Sequence, residues 1–259
     1  MNGVELFLKN QIKSKSYVEF FIYGSVGLIL INLIFIMLPT FWANLFLGKT
    51  QLELSVTFQD IMWVCFIFGF LIIKKRQADL KQMSKYQKNQ YLPDNFEDMI
   101  DDDVLTDIII SAKADSKDEM GLLPDMILQI SLQFRTNNSI ALTSDLLSKQ
   151  LELFLHSVEL RYNNLKYIIW LIPSLGFMGT VYGIGLAVSK LGEGSLDDPS
   201  LLTTMSANLG IAFNTTLLAL ILSVILQFFT QRFEAEEESL INGFGKYVMD
   251  NLINKIIEK

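Results

Sequence analysis

Two long stretches of the chain carry no charged residue, Tyr167 to Ser189 and Thr203 to Gln231. A hydrocarbon core takes about 20 helical residues to cross, so both predict membrane-spanning helices, at about Tyr167–Val188 and about Met205–Phe229. Two further apolar runs precede them. One covers about Val18–Leu38, is closed by Pro39 and is flanked by Phe41 and Trp42; the other covers about Thr57–Ile73 and stops at Lys74, Lys75 and Arg76. The expected fold is an all-α integral membrane protein with four transmembrane helices, the last two extended into a cytoplasmic helical domain.

The polar stretches orient these crossings. Lys9, Lys13 and Lys15 precede the first, and Lys74, Lys75, Arg76, Lys81, Lys85 and Lys88 follow the second. The opposite loops hold only Lys49 and Lys190. Lys and Arg concentrate on the cytoplasmic side, so both termini and the central segment are expected there. The boundaries that follow are a cytoplasmic N-terminal segment 1–17, two crossings within 18–73, a cytoplasmic helical domain 74–166, two crossings within 167–231, and a cytoplasmic amphipathic helix 232–259. The central domain begins with an acidic run through Asp94, Asp101, Asp102, Asp103 and Asp107, read as a solvated face on short helices and linkers. From about Ser139 the pattern changes. Leu147, Leu151, Phe154, Leu155, Val158, Tyr162 and Leu165 recur at three- and four-residue steps, which makes one helical stripe. Nothing breaks that helix before Pro173, so it should run on into the third crossing. Leu240, Ile241, Phe244, Val248, Leu252, Ile256 and Ile257 mark a second stripe beyond Arg232, and either stripe serves core packing or a contact between subunits.

Composition removes whole classes of function. With 51% apolar and 19% charged residues, this is not an ordinary soluble enzyme. A net charge of −7 and the lack of a basic patch argue against a nucleic acid partner. Cys65 is alone and His156 is the single histidine, which leaves no disulfide framework and no metal-ligand spacing. No nucleophile with its base and no phosphate loop can be assembled, so neither enzymatic activity nor a cofactor is expected. No small-residue cleavage pattern follows the first apolar run, so a cleaved leader is not expected.

The last two crossings carry the unusual chemistry. Pro173-Ser174-Leu175-Gly176-Phe177-Met178-Gly179-Thr180-Val181-Tyr182-Gly183-Ile184-Gly185 packs four glycines into ten residues. Each costs about 1 kcal/mol relative to Ala in a soluble helix, but in lipid Gly176, Gly179 and Gly183 let helices approach closely. Pro173 removes a backbone donor and should bend the helix. The fourth crossing holds Asn208, Asn214, Thr215 and Thr216. Polar groups at that depth face other helices or a water-filled cavity, although a threonine can also satisfy itself on the carbonyl one turn back. Neither crossing holds a titratable group at depth, while Glu19 and Asp60 fall near the ends of the other two, where the interface can solvate them. A proton path through this chain would therefore need a carboxylate from another polypeptide.

The stretch IPSLGFMGTVYGIGLAV followed by LGIAFNTTLLALILSV, about Trp170 to Gln231, resembles the MotA/TolQ/ExbB proton-channel family. The resemblance implies a ring of five copies around two copies of a single-span MotB/TolR/ExbD-like partner that carries a membrane aspartate. Ion flow past that aspartate, H⁺ or Na⁺, would drive rotation. It further implies a multi-pass protein of the bacterial inner (cytoplasmic) membrane. The family's pore threonines fall on Thr180 and Thr216, with Thr215 and Asn214 within a turn of the latter, and Ala219 stands where many members have Gly. Two crossings ahead of the cytoplasmic domain resemble the flagellar branch, whereas the Gly-Thr-Val and Ala-x-x-x-Thr wording is closer to the transport and Zorya-like branches. The expected function is the ring-forming channel or stator subunit of an ion-driven rotary motor. The alternative is a non-conducting membrane scaffold.

Overall fold

The computed structural model describes residues 26–27, 29, 40–48, 56–89, 91–93, 99–118, 120–193 and 199–256. Most of the first expected crossing, 18–38, lies outside them; Val26, Gly27 and Ile29 within it are helical. The described chain is helical, and its one β-contact is an isolated bridge between Ile100 and Ile256. The helices are α1 (Thr40–Leu47), α2 (Phe58–Tyr86), α3 (Asp102–Asp115), α4 (Leu122–Asn137), α5 (Ile140–Glu193) and α6 (Pro199–Asn251). They divide into two compact units, one built from described residues of 74–162 and 232–259, the other from described residues of 14–73 and 163–231.

In the first unit, α3 starts at Asp101, whose carboxylate accepts the Val104 amide at 3.0 Å as an N-cap. Asp101, Asp102, Asp103 and Asp107 are exposed, as a solvated face should be, but the same helix buries Leu105, Ile108, Ile109 and Ala112. From Asp101 to Asp107 the acidic run is thus the first turn and outer side of a packed helix; Asp94 lies outside the described residues. Helix α4 buries Leu123, Met126, Ile127, Ile130 and Phe134 and packs against α3. It ends at Asn138 in the left-handed conformation (φ 48°), one that Asn tolerates. The α5 stripe buries Leu147, Phe154, Val158 and Tyr162, and the α6 stripe buries Ile241, Phe244, Val248 and Leu252. Leu151 fills the notch left by Gly245. Between the stripes, Arg161 Nη2 meets Glu237 Oε1 at 2.5 Å, with side chains only 4% and 3% exposed. Burial draws the Arg161 guanidinium down to about 10 against the opposing pull of Glu237. The C-terminal end is tied in by Lys255, which donates to Pro93 O at 2.6 Å and to Asn251 Oδ1 at 3.2 Å.

In the second unit, α2 begins with a reciprocal cap. Asp60 accepts the Thr57 amide and hydroxyl, both at 3.0 Å, while Thr57 Oγ1 accepts the Asp60 amide at 3.2 Å. Asp60 is therefore buried, at 4% exposure, rather than solvated at an interface. Its charge is met by the helix start it caps. Phe58 lies against Tyr182, and Phe70 stands edge-on to Phe229, so α2 packs on both α5 and α6.

Helix α2 does not stop at Lys74 but continues to Tyr86. Helices α5 and α6 run unbroken for 54 and 53 residues, about 80 Å each at 1.5 Å per residue. Two helical segments are long and apolar enough to cross a membrane, Ile140–Gly192 and Ser200–Lys255. Only 28% and 39% of their most apolar stretches are buried within the chain, which is unlike the core helix of a soluble protein. Helix α2 is not among them; its apolar part is short, holds Asp60 and meets Lys74.

Candidate functional site

The site grows out of the seam between α5 and α6. A Cβ at Gly176 would collide with the Ala219 Cβ and stand 3.2 Å from Thr215 O. At Gly179 it would stand 2.8 Å from Thr215 Oγ1, and at Gly183 2.8 Å from the Ala212 Cβ and 3.0 Å from Asn208 O. Glycine at these three positions is thus a condition of contact between the two backbones. A Cβ at Gly185 would meet nothing within 4 Å, so the fourth glycine of the run has no place in the seam. Pro173 lies inside α5, three residues before Gly176, without ending the helix.

The close approach gathers three hydroxyls on two main-chain carbonyls. Thr215 Oγ1 donates to Ala212 O at 2.8 Å and lies 3.4 Å from Gly176 O across the seam. Thr180 Oγ1 is 3.0 Å from Ala212 O, on the opposite helix, and 3.2 Å from Gly176 O, one turn back on its own. Thr216 Oγ1 is 3.3 Å from Gly176 O and 3.5 Å from Ala212 O. The hydroxyls of Thr180 and Thr216 also hydrogen-bond each other directly. Thr215 is buried, whereas Thr180 and Thr216 keep partial exposure. The self-satisfying bond to the carbonyl one turn back is present, and so is its equivalent across the seam.

Of the polar residues singled out in the fourth crossing, Asn214 stands apart. A helix turns about 100° per residue, so Asn214 is rotated away from Thr215 and makes no hydrogen bond to the threonines. It is half-buried between exposed Phe213 and the seam. Asn208 contributes its carbonyl to the packing at Gly183. Side-chain patterns did not reveal the two acceptors, Gly176 O and Ala212 O, because any residue supplies a carbonyl. Their one available signal was that small residues at 176 and 212 leave the carbonyl uncovered. Arg161 and Glu237 were also missed, although each is a charge set within an apolar stripe. No group of His, Cys, Asp and Glu that could hold a metal occurs among the described residues.

Long apolar helices exposed along most of their crossing stretches, joined by a glycine seam beside a hydroxyl cluster, fit a membrane protein. Residues 121–245 match the model of the MotA/TolQ/ExbB proton channel family. The match covers the described residues of α4, α5 and most of α6, including every residue of the cluster. No curated protein and no solved structure matches the chain. Members of this family are channel and transport proteins, not enzymes, and work with single-span partners in ion-driven motors.

Proposed function

We propose that this chain is the ring-forming subunit of a rotary motor driven by H⁺ or Na⁺, with five copies enclosing two copies of a single-span partner that carries a membrane aspartate. The observation that carries the reading is the Thr180–Thr216 hydroxyl pair, partly exposed on two apolar stretches, 167–188 and 205–229, that hold no Asp, Glu, His, Lys or Arg of their own. Thr180 and Thr216 line the ion path, Thr215 supports them from the buried side, and Asn214 faces away from the seam toward a neighbouring copy. Two additional crossings, 18–38 and 57–73, complete each subunit, with both termini on the cytoplasmic face of a bacterial inner membrane. Ion transfer neutralises and recharges the partner's aspartate in turn. One elementary charge crossing 100 mV releases about 2.3 kcal/mol, so several ions per revolution supply usable work.

The test is Thr216→Val, which keeps shape and removes the hydroxyl. Ion flux into vesicles holding both chains should be lost while native mass spectrometry still finds a five-copy ring with two partner chains. Undiminished flux would remove Thr216 from the mechanism. The scaffold reading retains one supporting observation: all three hydroxyls already have main-chain acceptors, as a purely structural cluster would. Vesicles with the assembled complex but no ion flux would favour it.

A further inference from the structure

Within the first unit, α5 and α6 each bury one side and leave the opposite side bare. On α5, Leu153 and Leu160 stand seven residues apart at 59% and 50% exposure, turned from the buried Phe154, Val158 and Tyr162. On α6, Ala235, Ser239, Asn242 and Lys246 are exposed, opposite the buried Ile241, Phe244 and Val248. An exposed leucine carries no message by itself; the match between these two faces does. Inside the chain Leu151 meets Gly245 and Arg161 meets Glu237, so this part of α5 runs antiparallel to this part of α6. Counting along both helices from those contacts sets Leu160 level with residues 236–238 and Leu153 level with 243–245. Copies related by rotation about an axis parallel to the two helices keep these levels. Presented to α6 of the next copy, Leu160 would enter between Ala235 and Ser239, and Leu153 between Asn242 and Lys246. These are knobs and holes at the same seven-residue interval. Glu152, level with 244–246, would meet Lys246 there. Both are exposed, and neither has a charged partner among the described residues.

We infer that the outer face of α5 at Leu153 and Leu160 docks on the outer face of α6 at Ala235, Ser239 and Asn242 in a second copy of this chain, with Glu152 paired to Lys246 at the edge. The two faces lie on different helices, so the contact is head-to-tail and can close a ring. A second copy is the occupant because both halves of the fit, the spacing of small residues and the opposite charge, are present on the same chain at the same level. The inference rests on the ring of the proposed function and names the surfaces that join its subunits. It draws on no residue of the hydroxyl cluster, and the contact is read without any ion flux.

The experiment is disulfide trapping in the full chain, in membranes, with Cys65 replaced by Ala. Leu160→Cys with Ser239→Cys is the test pair, and Leu151→Cys with Gly245→Cys is the control. The test residues point to the outer sides of their helices, beyond the reach of a disulfide inside one chain. The control pair closes within a chain and so also reports an intact fold. The test pair should trap a ladder of chains up to the closed ring, the control monomers alone, and either test cysteine by itself nothing. Glu152→Lys should lower the ladder about threefold, and Lys246→Glu added to it should restore the yield; failure to restore it overturns the alignment. Native mass spectrometry of the unsubstituted chain separates the remaining outcomes. A ring without a ladder overturns this contact and leaves the ring standing, whereas monomers without a ladder overturn both. Dimers from a single cysteine, or a bond to the single-span partner in place of the ladder, give the leucine face another occupant and overturn the inference.

Discussion

Gly176→Ala and Gly185→Ala place the same methyl group on the same helix in opposite surroundings. At Gly176 the new Cβ would collide with Ala219 Cβ and lie 3.2 Å from Thr215 O and 3.4 Å from Thr216 Cα. None of these is the movable end of a long side chain, so relief requires the helices to separate. At Gly185 the methyl meets nothing within 4 Å. Each substitution gains the same helix propensity, about 1 kcal/mol in water, and that gain cancels in the comparison. What remains is the overpacking cost, typically about 1–3 kcal/mol. At about 2 kcal/mol, and about 2–4 °C per kcal/mol for a chain of this size, Gly176→Ala should melt roughly 4–8 °C below Gly185→Ala in the same detergent. Separation of the helices should also loosen the hydroxyl cluster, so Gly176→Ala should lower ion flux where Gly185→Ala does not. Equal melting temperatures would refute the claim that the seam is closed at Gly176.

Removing one member of the buried ion pair should be far worse than removing both. Arg161→Met alone should cost about 3–5 kcal/mol and Arg161→Met/Glu237→Leu much less, a contrast that thermal melts of purified protein would read. Tyr91 donates to Asp115 at 2.5 Å, and burial together with that carboxylate pushes its phenol up to about 12. The folded state therefore holds the proton more tightly than the unfolded one. Its stabilising share is complete below pH 10 and is lost as pH rises from about 10 through 12. Tyr91→Phe should flatten the alkaline melting curve in that window, and an unchanged slope would rule the contact out as its source. Lys255→Met should cost about 1 kcal/mol, because Pro93 O loses its charged donor in a part-buried setting; a melt unchanged within error would contradict this.

The helical stripes were legible because burial on one face leaves a three- and four-residue period at Phe154, Val158 and Tyr162, and again at Ile241, Phe244 and Val248. Continuity of α5 through residue 167 was legible for a simpler reason, the lack of any breaker before Pro173. The limits of side-chain reasoning show at Asp60, Asn214 and Glu237. Asp60 stands near a helix end, where solvation was the natural expectation, yet the partner that satisfies it is Thr57, three residues before it. Asn214 adjoins two threonines in sequence and is turned from them by the helix. Glu237 finds Arg161 only through the pairing of α5 with α6, a long-range fact that no local window holds. The convergence of three hydroxyls on Gly176 O and Ala212 O was hidden for the same reason, and because main-chain oxygens leave no mark on residue type.

That convergence has a directional consequence. A hydroxyl owns one proton and two lone pairs. In the cluster the protons of Thr180, Thr215 and Thr216 are committed inward, to the two carbonyls or to one another. What the partly exposed Thr180 and Thr216 can still offer outward is lone-pair density. A newcomer that brings a proton or a positive charge, such as hydronium, Na⁺ or a protonated carboxyl group, is complemented there. An ionised carboxylate finds only acceptors and is turned away. If Thr180 and Thr216 line an ion path as proposed, they would sort a visiting acid by its protonation state, gripping it when loaded and releasing it once it has discharged.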